Sequence, residues 1–113
     1  MVDTTKIVKE VSKIDFEELL QKFKHLIFVG DHSLDLLSEA QREIFGKEEL
    51  IKIVLNETPV GVGLQKNGRY AVFFRRKNYF LRIILEDKIS KLEIITFINA
   101  RNIINFKRLK NEK

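Results

Sequence analysis

Hydrophobic and polar positions repeat with two different periods along this chain, and the change of period divides it. In residues 15–23 the apolar set Phe16, Leu19, Leu20 and Phe23 recurs at i, i+3, i+4 and i+7, one face of a helix. Ser12 or Asp15 would cap its start, with acids in its first turn. Leu26-Ile27-Phe28-Val29, ended by Gly30, reads either as a short buried or edge strand or as an extension of the helix. Asp31 or Ser33 opens a second helix that reaches Phe45, buries Leu34, Leu37, Ile44 and Phe45, and stops at Gly46 as a C′ residue. Residues 47–56 predict a third, burying Leu50, Ile51, Val54 and Leu55. Residues 1–11 are mixed and polar and are expected to fray, as are 110–113.

From Pro59, the only proline, the period becomes two. Lys66-Asn67-Gly68-Arg69 places Asn-Gly between two apolar runs, the signature of a type I′ hairpin with both central residues at φ > 0. Arg76-Lys77-Asn78-Tyr79 predicts a second two-residue turn, and residues 86–91 form a longer connection to the run 92–98. With Lys66 opposite Arg69, Leu64 faces Ala71 and Val62 faces Phe73. With Arg76 opposite Tyr79, Phe74 faces Leu81, Val72 faces Ile83 and Tyr70 faces Leu85. One face then carries Gly61, Gly63, Tyr70, Val72, Phe74, Tyr79, Leu81, Ile83 and Leu85, a core face whose glycines leave room for a helix. The other carries Arg69, Phe73, Arg75, Phe80, Arg82, Ile84 and Glu86, an open or partly covered surface. By the same alternation Thr96 shares a face with Leu92, Ile94 and Ile98. The tail from Asn99 to about Leu109 predicts a helix burying Ile103, Ile104 and Phe106. The expected fold is a single α+β domain over 1–113. Its N-terminal helices pack on one face of a three- to four-stranded antiparallel sheet, followed by a C-terminal helix.

Charge sharpens this picture. Residues 1–59 hold eight Lys/Arg against twelve Asp/Glu, residues 60–86 six against one, and residues 101–113 five against one. Basic hairpins and a basic tail behind an acidic helical half suit a polyanion-binding surface, although solubilising charge gives the same count. Arginine dominates the strands, and a guanidinium both stacks and forks. No apolar run is long enough to span a membrane, the N-terminus lacks a signal-peptide layout, and there is no cysteine; a cytoplasmic protein without disulfides is expected. With two histidines, His25 and His32, no metal centre is expected, and Gly61-x-Gly63 lies inside a strand, so no nucleotide loop or cofactor is implied.

Several features together resemble a known group. These are His32 at a helix start, Arg42 later in that helix, Asn67-Gly68-Arg69-Tyr70 opening a strand, the aromatic-rich hairpin from Tyr79 to Ile84, and the closing Ile-Ile-Thr-Phe of Ile94 to Phe97. Over His32 to Ile98 the chain is similar to the RelE/ParE toxin superfamily and related small barnase-like ribonuclease domains. The resemblance implies metal-free RNA cleavage on an open basic sheet face, with a His, Lys, Glu or Tyr handling the proton. It also implies a cytoplasmic toxin–antitoxin setting, with RNA and an acidic antitoxin protein as partners and room for a homodimer.

Cleavage by an RNA 2′-hydroxyl needs a base, an acid and positive charge for the phosphorane. The catalytic candidates are His32 as acid or base, Glu86 as base, and Arg69 and Arg82 for charge. Arg75, Arg76, Lys107 and Arg108 would bind phosphates, while Phe73 and Phe80 would stack bases. Each has a plainer reading. Arg69 and Glu86 form a cross-strand ion pair, His32 neighbours a helix cap, and the two phenyl rings lie under the C-terminal helix or in a dimer interface. A non-catalytic nucleic-acid-binding module and a protein-interaction domain would both use the same face.

Overall fold

The computed structural model of the protein describes residues 6–30 and 46–100. Its elements, in chain order, are β1 (Ile7–Glu10), α1 (Lys13–Lys22), β2 (Ile27–Val29), α2 (Lys47–Asn56), β3 (Gly61–Gln65), β4 (Tyr70–Arg75), β5 (Phe80–Asp87) and β6 (Leu92–Ala100). The fold is α+β and dominated by one six-stranded sheet of order β1-β3-β4-β5-β6-β2. Neighbours are antiparallel except β2, which runs parallel to β6. The helices predicted within 31–45 and beyond residue 100, with His32, Arg42, Lys107 and Arg108, lie outside the described residues.

Six strands replace the expected three or four because two short segments gain their order from neighbours. Ile7–Glu10, expected to fray, pairs with β3, and Ile27–Val29 takes the strand alternative of its two readings by pairing with β6. Strands of four and three residues are too short to announce themselves by period and form by adding to an existing edge. The closing strand also runs on through Asn99 and Ala100, where a helix was expected to begin.

Both described helices form for local reasons. The Ser12 hydroxyl caps α1 by accepting from the Asp15 N–H at 3.1 Å, and Asp15 and Lys22 complement the two ends of the helix dipole. Helix α2 has Gly46 at its N-cap with extended backbone (φ −76°), so this glycine is not the left-handed C′ residue expected there. Glu48 and Glu49 occupy its first turn, and Leu50, Ile53 and Val54 are buried at i, i+3, i+4. Leu55, expected inside, points outward.

The principal core lies between these helices and the first face of the sheet. Phe16, Phe23, Leu50, Ile53 and Val54 pack on Val62, Val72, Phe74, Leu81, Ile83 and Leu85, and on Ile27, Val29, Leu92, Ile94 and Phe97 toward the β2 edge. Tyr70, expected on this face, packs against that core.

The first hairpin differs from expectation by one residue. Gln65 N–H donates to Arg69 O at 2.8 Å and Gly68 N–H to Gln65 O at 2.9 Å, so the loop is Lys66-Asn67-Gly68. Gly68 alone takes positive φ (+87°). A three-residue loop with glycine in the left-handed position replaces the type I′ turn, and the Asn67 side chain secures it by accepting from the Arg69 N–H at 3.0 Å. The register is therefore Val62↔Val72 and Gly63↔Ala71. This one-residue slip puts Val62 in the core and moves Gly61 and Gly63 to the second face. There a Cβ on Gly63 would lie 2.5 Å from Ile7 Cγ2, so the glycine makes room for β1 rather than for a helix.

The second hairpin keeps its predicted register, with Tyr70↔Leu85, Val72↔Ile83 and Phe74↔Leu81. In β6 an irregularity sets Ile84 opposite Thr96 but Leu85 opposite Ile94, so Ile95 is the extra residue. The bulge reverses the alternation. Leu92, Ile94 and Phe97 enter the core, whereas Thr96 and Ile98 pair with Ile84 and Arg82 of the second face.

Candidate nucleic-acid interface on the second sheet face

Strand alternation brings most of the sequence candidates together on the second face. Arg75 stands opposite Phe80, Phe73 opposite Arg82 and Ala71 opposite Ile84. Arg69 and Glu86 follow at the far end of the same hairpin, joined through Arg69 Nε and Glu86 Oε1 at 2.6 Å.

The middle of this face is closed. Ile7, Ala71, Phe73 and Ile84 form a second, smaller buried cluster with Phe80 and Ile95 against it. Ile7 reaches it over Gly63, and the Arg82 guanidinium lies 5.5 Å from the centre of the Phe73 ring. Phe73 is 2 % exposed, so its ring is a core residue in this conformation and not an open stacking platform. Phe80, half-buried, still presents part of its ring.

A chain of hydrogen bonds crosses the polar end. Arg82 Nη2 donates to Gln65 Oε1 at 2.6 Å, and Gln65 Nε2 donates to Asn67 Oδ1 at 3.1 Å. Asn67 Oδ1 also accepts from the Arg69 N–H, which leads to the Arg69–Glu86 pair. Gln65, 2 % exposed, is the one buried polar residue among those described. The two-residue turn expected at Asn67-Gly68 hid it by setting it opposite Tyr70. A polar residue closing an otherwise apolar strand was the signal for it.

Glu86 has both oxygens engaged, Oε1 by Arg69 and Oε2 by Lys88 Nζ, each at 2.6 Å. The bonds from Lys88 and then Arg69 hold its carboxyl below the ordinary carboxylate value against a smaller opposing effect of burial. Lys88 is correspondingly raised by Glu86. A carboxylate held in this way is a weak proton acceptor.

The second hairpin tip splits its cations. Arg75 is exposed on the second face, and neither it nor Lys77 has an ion pair among the described residues. Arg76 turns instead to the loop after α2, where Nη1 and Nη2 grip Glu57 Oε1 and Oε2 at 2.8 and 3.1 Å. No protein-family model, curated protein or solved structure matches this chain. What the site can do is accordingly read from its own chemistry: an exposed arginine beside a partly open aromatic ring, and a line of guanidinium groups leading to a doubly clamped carboxylate. Among the described residues no helix is long and apolar enough to cross a membrane.

Proposed function

We propose that the chain binds single-stranded RNA along the second sheet face. The observation that carries this reading is Arg75, exposed and without an ion pair among the described residues, opposite half-buried Phe80 and on the face that holds Arg82 and Arg69. A guanidinium beside a phenyl ring offers one phosphate contact and one stacking surface, the combination that sequence-tolerant single-strand binding uses. The basic balance of residues 60–86 adds long-range attraction.

Metal-free RNA cleavage at the same face, with an acidic antitoxin as partner, is a second reading, favoured by the convergence of Arg69, Lys88 and Glu86 at one end. In it Arg69 and Arg82 stabilise the phosphorane and His32 carries the proton.

One experiment addresses both. Binding of a labelled RNA oligonucleotide is titrated between about 50 and 200 mM salt, and the same RNA is incubated with the protein in EDTA. Arg75→Ala is expected to weaken binding about fivefold at 0.1 M salt and to flatten the salt slope by about 0.7. Binding that ignores salt, or an Arg75→Ala variant equal to the parent, would overturn the RNA reading. Cleavage lost in His32→Ala and Arg82→Ala would support the enzyme, and equal cutting by both variants would refute that assignment.

A further inference from the structure

Glu86 is the acid on the second face whose surroundings are those of an anion in a binding site. Arg69 Nε and Lys88 Nζ approach its two oxygens from different segments, β4's entry and the β5–β6 connection, each at 2.6 Å. Two cations around one carboxylate leave an excess positive charge. Glu86 itself is only partly buried, at 25 % side-chain exposure, and its cations are more exposed still. An exposed pair of this kind exchanges partners at little cost, because solvent screens the charges and the long side chains re-orient freely. Glu93, opposite Glu86 in the register, lies 3.9 Å from Lys91 Nζ and attracts Lys88 through space, but forms no ion pair with Lys88 or Arg69 among the described residues.

We propose that Glu86 is a resident stand-in for phosphate: its carboxylate occupies the Arg69–Lys88 site, and an RNA phosphate binds there by displacing it. This rests on the RNA-binding reading above and adds to it that the face limits its own affinity. Displacement breaks two charge-assisted hydrogen bonds to carboxylate and forms two to phosphate, so in the parent protein these cations add little net binding. Neutralising the carboxylate without changing its size removes the competitor. The lowered proton affinity of Glu86 agrees with this, since the group remains an anion at neutral pH.

The test is a mutant cycle on RNA affinity in the full chain. Glu86→Gln is expected to bind the RNA oligonucleotide about fivefold tighter at 0.1 M salt, with a salt slope steeper by about 0.7 or more. In the Arg69→Ala background, Glu86→Gln is expected to lose most of this gain. Circular dichroism of each variant checks that the fold persists. If Glu86→Gln binds no tighter while the parent binds RNA and Arg75→Ala weakens it, the stand-in role is refuted and the RNA reading survives. If the parent shows no salt-dependent RNA binding, the reading fails first and the stand-in role goes with it. Tightening of the same size in the Arg69→Ala background would also overturn the proposal, as it would reflect net charge alone.

Discussion

Glu86 shows how one side chain serves fold and site together. Its carboxyl is held below the ordinary value of 4.5 by bonds from Lys88 and Arg69, so its folded pKa is depressed relative to the unfolded chain. Stability from this group is therefore complete above about pH 4.5 and is lost as pH falls through the lower folded value. For a partly exposed pair the contribution is under about 1 kcal/mol. Urea unfolding of parent and Glu86→Gln from pH 7 to pH 3 should show a small parent advantage at neutrality that narrows below pH 4.5. A gap that widens in acid would contradict the assigned direction. Ile89 is a residue of a different kind, with φ +74° and 86 % exposed. A β-branched residue is strained there, and the bond from Ile89 N–H to Asp87 Oδ1 at 2.7 Å helps to hold the turn.

Among the elements, the β1–β3 edge depends most on a single missing atom. The side chain of Ile7 fills the space above Gly63, and Val8 is the extra residue of a bulge that leaves it 52 % exposed. Such a bulge disrupts the edge of the sheet formed by the described strands and discourages pairing with another chain. Gly63→Ala is expected to cost about 1–3 kcal/mol by overpacking, because the clash falls on the branched carbons of Ile7. In an Ile7→Ala background the added cost of Gly63→Ala should largely vanish, a coupling that urea denaturation of the four variants measures. Additive effects would show that β1 is not held by this contact. The second hairpin needed no such accommodation, and its register followed from Arg76 and Tyr79 alone, whose N–H and O meet at 2.9 Å.

At the scale of the whole molecule, the described residues form one sheet that separates two clusters of unequal size, and β4 and β5 contribute to both. Phe74, Leu81 and Ile83 face the helices while Phe73 and Ile84 face the other way, so neither cluster can dissolve without disturbing the same two strands. We expect a single cooperative transition. Leu50→Ala in the larger cluster and Phe73→Ala in the smaller should each lower stability by about 2–5 kcal/mol and shift one common midpoint. Far-ultraviolet dichroism and the fluorescence of Tyr70 and Tyr79 would follow it. Two separate midpoints in the Phe73 variant would mean that the second cluster unfolds on its own.

What could be read from residue order was whatever depends on near neighbours in the chain. The cap at Ser12, one of two candidates, the span of α2 with Leu50 and Val54 inside, the register of the β4–β5 hairpin and the grouping of Arg75, Phe80, Arg82 and Glu86 all follow from contacts a few residues apart or across one short turn. Three-dimensional packing settled the remainder. It recruited Ile7–Glu10 and Ile27–Val29 to the sheet edges, inserted the bulge at Ile95, and chose a three-residue loop over a two-residue one at Asn67-Gly68. Each choice is nearly neutral for the isolated segment. Each is decided by which side chains it delivers to a core built from residues far away in the chain, and Val62 against Gly63 is the plainest case. The same distant packing closed the middle of the second face over Phe73 and left Arg75 and the Glu86 cluster at its ends as the places where chemistry can occur.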